Sequence, residues 1–277
     1  MLGTQLLRAE RSLNGGTEQR RHDRRIAGED GGDGVQILRA LCGVSSQQVI
    51  HDVRDVLRQL RDDHPDWRDK RVLDFGGNKG NLLLDPACAI HHENYYCLDV
   101  IHEAIDEGRQ TFPGAHWFHY DRYNCSFNPE GVVDLPVPDL GVEFDFILAY
   151  SVFTHTTWEE TKDLVAQLRA QLAPGGALAF TFIDPHWNSN LRWRLEKRNS
   201  NDRVEQLLAQ CRDAQWCSLV NGTQLYVNSA GSYDQHSEEC VTYNVYYTEE
   251  FLREQFPHAQ IKKPVNGEMQ HCCDISR

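Results

Sequence analysis

One segment constrains the fold of this chain more than any other: the apolar run Val72-Leu73-Asp74-Phe75 passes directly into Gly76-Gly77-Asn78-Lys79-Gly80. A second apolar run, Tyr95-Tyr96-Cys97-Leu98, then ends on an acid, Asp99. The order reads as a strand, a tight glycine turn, a helix start, a second strand and a carboxylate at the carboxyl end of that strand. Open α/β sheets bind ligands at the carboxyl ends of their strands, and this order is the one found in nucleotide-handling sheets.

The turn itself narrows the ligand. A dinucleotide fold places G-x-G-x-x-G here, so that backbone N–H groups at a helix start grip a pyrophosphate. Asn78, two residues after Gly76, breaks that pattern. Asp74, Gly76 and Gly80 instead follow an acid-x-Gly-x-Gly-x-Gly spacing, with Asn78 in the place of the middle glycine and Gly77 beside it. Asparagine is among the few residues besides glycine that tolerate a left-handed backbone, so the turn survives the exchange. The segment resembles the first motif of class I S-adenosylmethionine (SAM)-dependent methyltransferases. That resemblance implies SAM as cofactor, held by the turn residues Gly76, Gly77, Asn78 and Gly80. It places Asp74 toward the ammonium end of SAM and Asp99, with Val100 beside it, at the ribose hydroxyls.

Further segments continue the resemblance in order. His116–Asp121 reads as a third strand ending in an acid, which implies Tyr120 and Asp121 near the adenine. Phe144–Ser151 reads as a fourth strand, with Tyr150 and Ser151 beside the methionine part of SAM. Val152-Phe153-Thr154-His155 is similar to the post-strand segment of many small-molecule methyltransferases. Leu172-Ala173-Pro174-Gly175-Gly176 and the apolar run to Phe180 resemble the family's helix end, turn and fifth strand. The implied fold is α/β: a Rossmann-like, doubly wound sheet of seven strands, the last antiparallel, with an α+β lid insertion after strand five.

The rest of the chain divides around this core. Residues 1–34 have no sustained apolar periodicity and are expected as a tail. Residues 35–184 and 245–277 are expected to form the SAM-binding core, and residues 185–244 the lid. Val49, Ile50, Val53, Val56, Leu57 and Leu60 repeat at helical spacing before the first strand. Asn124–Gly141, with three prolines, reads as an irregular loop on the catalytic side. Thr157-x-x-Glu160 has the form of a capping box, followed by a stripe of Leu164, Val165, Leu168 and Leu172. Within the insertion we expect one helical stretch near 191–214 and strands at Gln224–Asn228 and Val241–Tyr247. A helix from Thr248, a sixth strand at His258–Val265 and a seventh at Met269–Ile275 complete the core. The aromatic residues of the insertion either line an acceptor pocket or form the insertion's own small core.

Methyl transfer from a sulfonium is an in-line displacement, so the protein's work is positioning and exclusion of water. A base is required where the acceptor carries a proton, and histidine titrates near working pH. His155, after strand four, and Asp184 and His186, after strand five, are the catalytic candidates. Each has a structural alternative, His155 as a packing residue at the following helix. His236 is a weaker candidate. No metal is expected: no C-x-x-C pair occurs, and the adjacent Cys272 and Cys273 point to opposite faces of a strand.

The chain of 277 residues carries a net charge of −13, which argues against a nucleic-acid substrate, since phosphate backbones are bound through lysine and arginine. No apolar run reaches the ~20 residues of a membrane span. Nine cysteines without regular spacing fit reduced thiols and a cytoplasmic location. The expected partner is a small-molecule acceptor, a biosynthetic intermediate methylated on O, N or C, with no nucleic acid and no membrane. A homodimer is left open. The alternatives are a protein or peptide acceptor, and a regulatory protein that binds SAM without turnover.

Overall fold

A computed structural model describes residues 67–85, 88–187, 190–227, 240–264 and 270–276. All belong to the unit of chain that begins at residue 44. The expected tail, the helix before the first strand, and His236 lie outside the described residues.

Strand β1 (Val72–Phe75) is buried at every position, as a strand covered on both faces must be. It pairs in parallel with β2 (Tyr95–Asp99) on one side and with β4 (Phe144–Ala149) on the other. β3 (His116–His119) extends the sheet beyond β2, and β5 (Leu172–Phe182) beyond β4, both in parallel. Beyond β5 lies β10 (His271–Ser276), antiparallel to β5 and to the edge strand β9 (Gln260–Lys262). The seven strands thus run β3-β2-β1-β4-β5-β10-β9, with the last strand in sequence reversed, as expected. Chain order reverses between β1 and β4, and the crevice at that switch point is where such sheets bind ligands.

Helix α1 (His102–Thr111) connects β2 to β3, and α2 (Trp158–Ala170) connects β4 to β5. The capping box read from the sequence forms at α2: Thr157 accepts from the Glu160 N–H and Glu160 accepts from the Thr157 N–H. The expected loop after β3 has no regular element, yet it is well tied. Val137 N–H donates to Gln167 of α2 (2.8 Å), and the buried Arg122 reaches the Leu135 carbonyl (2.6 Å) and Glu160 (3.4 Å).

Three expectations are corrected. No helix starts after β1; residues 76–85 form successive turns closed by bonds such as Gly80 N–H to Gly77 O and Leu84 N–H to Gly80 O. Gly76, Asn78 and Gly80 all have positive φ, and left-handed residues this closely spaced interrupt a right-handed helix. The single helical stretch of the insertion is two helices, α3 (Asn190–Glu196) and α4 (Asn201–Cys211). An unanticipated strand, β6 (Trp216–Val220), follows them. Its five residues are all buried, and a short run without alternation carries no period to read.

β6 is the middle of a second sheet, between β7 (Gln224–Val227) and β8 (Tyr243–Tyr247), both antiparallel to it. This sheet buries both faces. Trp216, Val220, Tyr243, Val245 and Tyr247 join the main core, which also contains Phe153, Trp158 and Phe180. Cys217, Leu219 and Tyr246 face the other way, onto Leu191 and Leu195 of α3 and Val204 and Leu207 of α4. The expected lid boundary between residues 244 and 245 therefore runs through β8. α5 (Glu249–Gln255) follows, capped by the Thr248 hydroxyl.

Candidate active site

The turn after β1 is shaped by two buried acids. Asp99 accepts from Asn78 N–H (2.7 Å) and Ile101 N–H (2.8 Å), and these bonds pin the turn to the end of β2. Asn78 takes the left-handed conformation, φ 54°, that its place in the motif requires. Asp74 is buried and accepts from the Tyr95 hydroxyl at 2.6 Å. Burial pushes its carboxyl up to about 7; the Tyr95 bond opposes this and the nearby Asp99 adds to it. Burial likewise raises Asp99, against the two backbone N–H donors. A Cβ on Gly77 would lie 2.5 Å from Asp74 Cγ, so backbone must pass directly over this carboxyl. A carboxyl held near half-ionisation without a cationic partner suits the ammonium of an amino-acid moiety, and the residues fit SAM in that respect.

Other residues expected at the cofactor are distributed unevenly. Val100 follows Asp99, and its carbonyl lies 3.2 Å from His119 Nε2. Tyr120 is buried, with its hydroxyl spent on the Leu135 carbonyl (2.5 Å) and its ring 5.9 Å from that of Phe75. Asp121 is exposed and accepts from Asn128 (3.0 Å). Tyr150 is partly buried and packs against the core cluster that includes Trp117 and Leu148. Ser151 has positive φ (57°) and belongs to a small network that sequence reading missed. Its N–H donates to Thr181 Oγ1 (2.7 Å), that hydroxyl donates to Gln270 Oε1 (2.5 Å), and Gln270 Nε2 donates to Ser151 Oγ (3.1 Å). The network ties the carboxyl ends of β4 and β5 to the start of β10.

Among the catalytic candidates the structure separates His155 from the other two. His155 ends a short 3-10 turn, Phe153–His155. Its Nδ1 lies 2.9 Å from the Tyr243 carbonyl; a carbonyl only accepts, so Nδ1 carries the proton. Asn124 donates to the His155 carbonyl (2.8 Å), and the Phe127 ring stands edge-on 4.8 Å away. Burial lowers the His155 pKa to about 4, the Tyr243 carbonyl opposes this, and the charge of Arg194 lowers it further. The ring is therefore neutral at physiological pH, with the Nε2 lone pair free to accept. Asn124 and Phe127 were not anticipated, and Tyr243 was expected only as one of the insertion's aromatic residues. They come from the irregular loop and from β8, and no local pattern marks them.

Asp184 and His186 do not work as a side-chain pair. Asp184 accepts from the His186 N–H (2.8 Å) and from Glu249 N–H at the start of α5 (3.1 Å). It holds a turn and a helix end, while His186 is exposed. Beside them His271 is buried, stacked on Phe182 and edge-on to Trp187. No group of three or more His, Cys, Asp or Glu able to hold a metal occurs among the described residues.

Residues 73–178 match the family model described as a methyltransferase domain. Over these residues the chain carries a methyltransferase domain, in the part of the sheet that holds the glycine turn and the two strand-end acids. No curated protein matches it by sequence. Among solved structures it is similar to the magnesium protoporphyrin IX methyltransferase of Synechocystis PCC 6803 with bound SAH, at 14% identity over 92% of each chain, TM-score 0.48. It is also similar to an amino pentose methyltransferase of Micromonospora echinaspora involved in calicheamicin biosynthesis (18% identity, 80% of this chain and 89% of that chain, TM-score 0.43). A SAM-dependent methyltransferase of Clostridium acetobutylicum is a third (14%, 80% and 89%, TM-score 0.46).

Proposed function

We propose that the protein methylates a small-molecule acceptor on a protic oxygen or nitrogen, with His155 as general base. The observation that carries this reading is a neutral imidazole after β4, oriented through Nδ1 and offering an unprotonated Nε2. Bound SAM supplies a methyl on a sulfonium; the acceptor–CH3 bond forms as the S–CH3 bond breaks, and the electron pair stays on sulfur. The acceptor proton passes to His155 Nε2. Asp74, Asp99 and the turn 76–80 hold the cofactor, and the Ser151–Thr181–Gln270 network fixes the floor between β4 and β5. Residues of the insertion cover the acceptor side, with Tyr243 orienting the base. A cytoplasmic enzyme of biosynthesis fits this reading; no helix among the described residues is long and apolar enough to cross a membrane.

The test uses SAM with a labelled methyl group and source-cell extract separated beforehand into small-molecule and macromolecular fractions. Label in the small-molecule fraction is expected. Label confined to macromolecules would make the acceptor a protein or peptide, and SAM binding without label in either fraction would leave a non-catalytic binder.

A further inference from the structure

Helix α3 of the insertion carries a cation that no described acid neutralises. Arg194 sits on α3 between Asn190, Leu191 and Leu195, all buried, so helical spacing turns its stem inward. Its Nε is buried without a hydrogen-bond partner. Although the chain has 41 acidic residues, Arg194 forms no ion pair among the described residues; its ring contact is Trp193, at 6.0 Å. Arg192, two residues earlier and facing outward, pairs with both Glu196 and Glu205.

A second orphan stands beside it. Tyr246 on β8 is wholly buried, on the sheet face that meets α3, and its hydroxyl has no hydrogen-bond partner. The charge of Arg194 bears on this hydroxyl and on the His155 ring. Burying a guanidinium Nε and a phenol hydroxyl with their hydrogen bonds unmade is costly. Two such donors where β8 meets α3 are satisfied together by one kind of occupant, an oxyanion.

We propose that Arg194 and Tyr246 form an anion subsite that holds a carboxylate of the acceptor, so that the substrate is an anionic small molecule anchored by this group and methylated at another. The inference rests on the methyltransferase reading and narrows its substrate class. The carboxylate is the anchor and not the methylated atom, because an ionised carboxylate has no proton to give and would leave the His155 base idle. The anion also cancels a positive charge that disfavours protonation of His155, so the base strengthens when the acceptor arrives.

The test reads binding apart from turnover. The full chain, saturated with S-adenosylhomocysteine, is exposed to source-cell metabolites split on an anion exchanger into a retained and a flow-through pool, and bound compounds are found by ligand-observed NMR. Retained, carboxylate-bearing compounds are expected to bind the wild type. Arg194→Gln should weaken them about thirty-fold or more, the loss of a charged hydrogen bond, and Arg194→Lys should recover part of it. Tyr246→Phe should weaken them several-fold while leaving the empty protein as stable or more stable, since it deletes an unsatisfied hydroxyl. A merely structural tyrosine would not give these opposite signs. Binding confined to the flow-through pool, or anion binding unaffected by both Arg194 variants and Tyr246→Phe, overturns the subsite. Methyl transfer from labelled SAM is scored separately: a protein that binds these anions without methylating them keeps the subsite and loses the proposed activity.

Discussion

On the proposed function, the cofactor end and the acceptor end of the crevice treat buried polar groups in opposite ways. At the cofactor end each buried acid is partnered by its neighbours in the sheet or turn: Tyr95 on Asp74, Asn78 and Ile101 on Asp99. At the acceptor end Arg194 Nε, the Tyr246 hydroxyl, Trp187 Nε1 and His271 Nδ1 are buried without hydrogen-bond partners. On that reading, a cofactor common to a class is met by a preformed frame, whereas an acceptor particular to one enzyme is met by groups that it must itself complete. Residual strain follows the same division: the turn spends its left-handed residues on a fixed path, and the insertion spends unmade hydrogen bonds on a variable ligand.

The comparison can be broken most sharply at the base. His155→Gln should lower methyl transfer by about 10²–10⁴-fold with SAM affinity within about twofold, while His186→Ala, at an exposed position, should leave the rate unchanged. Steady-state kinetics beside calorimetric SAM titration separates the two; equal losses in both variants would remove the assignment.

Asp99→Ala should act at the other end. It strips two backbone donors of their acceptor, and about 2–4 kcal/mol of stability is expected to go with them, together with cofactor binding. Chemical denaturation with and without SAM measures both. A variant that keeps its midpoint would show that the turn holds without the carboxylate.

The two titrating groups sharpen the contrast through pH. Asp74, raised to about 7, takes up a proton in the folded state before it does so unfolded. Its contribution to stability is therefore full below about 4 and declines as pH rises through 7. His155, lowered to about 4, resists protonation on folding. Its contribution is full above about 6.5 and is lost as pH falls toward 4. For the cofactor, an ammonium favours ionised Asp74, so SAM affinity should rise up to about tenfold per unit between pH 5.5 and 7. Asp74→Asn should flatten that profile.

The smallest effect concerns the floor shared by both ends. Gln270→Leu removes one donor and one acceptor from the Ser151–Thr181 network and should cost about 1 kcal/mol, seen as a modest fall in thermal midpoint. Its KM for the acceptor should rise more than that for SAM if the network positions the acceptor side.

Legibility followed sequence distance. The strands β1, β2 and β4, the capping box at Thr157 and Glu160, and the left-handed Asn78 were readable because each is set by residues within a few positions of one another. The hydrophobic period and the turn chemistry are local. β6 was not readable, since a run buried on both faces shows no alternation. The duties of Asp184 and His186 were equally hidden: adjacency in sequence suggested a side-chain pair, but Asp184 accepts from the His186 backbone N–H and from the start of α5, far along the chain. The insertion's aromatic residues divided in the same manner, with Trp216, Tyr243 and Tyr247 completing the main core and Tyr246 turned to the helices of the insertion.

What the sequence by itself determined is the parallel sheet with its glycine turn and two strand-end acids, because local sterics and burial on both faces dictate them residue by residue. Which histidine is held by Nδ1, which carboxylate ties a turn to a helix start, and which arginine has its Nε buried without a partner were decided by the tertiary structure. Each depends on a partner brought from another element, and a hydrogen bond or its absence exists only once the chain has folded both sides into contact.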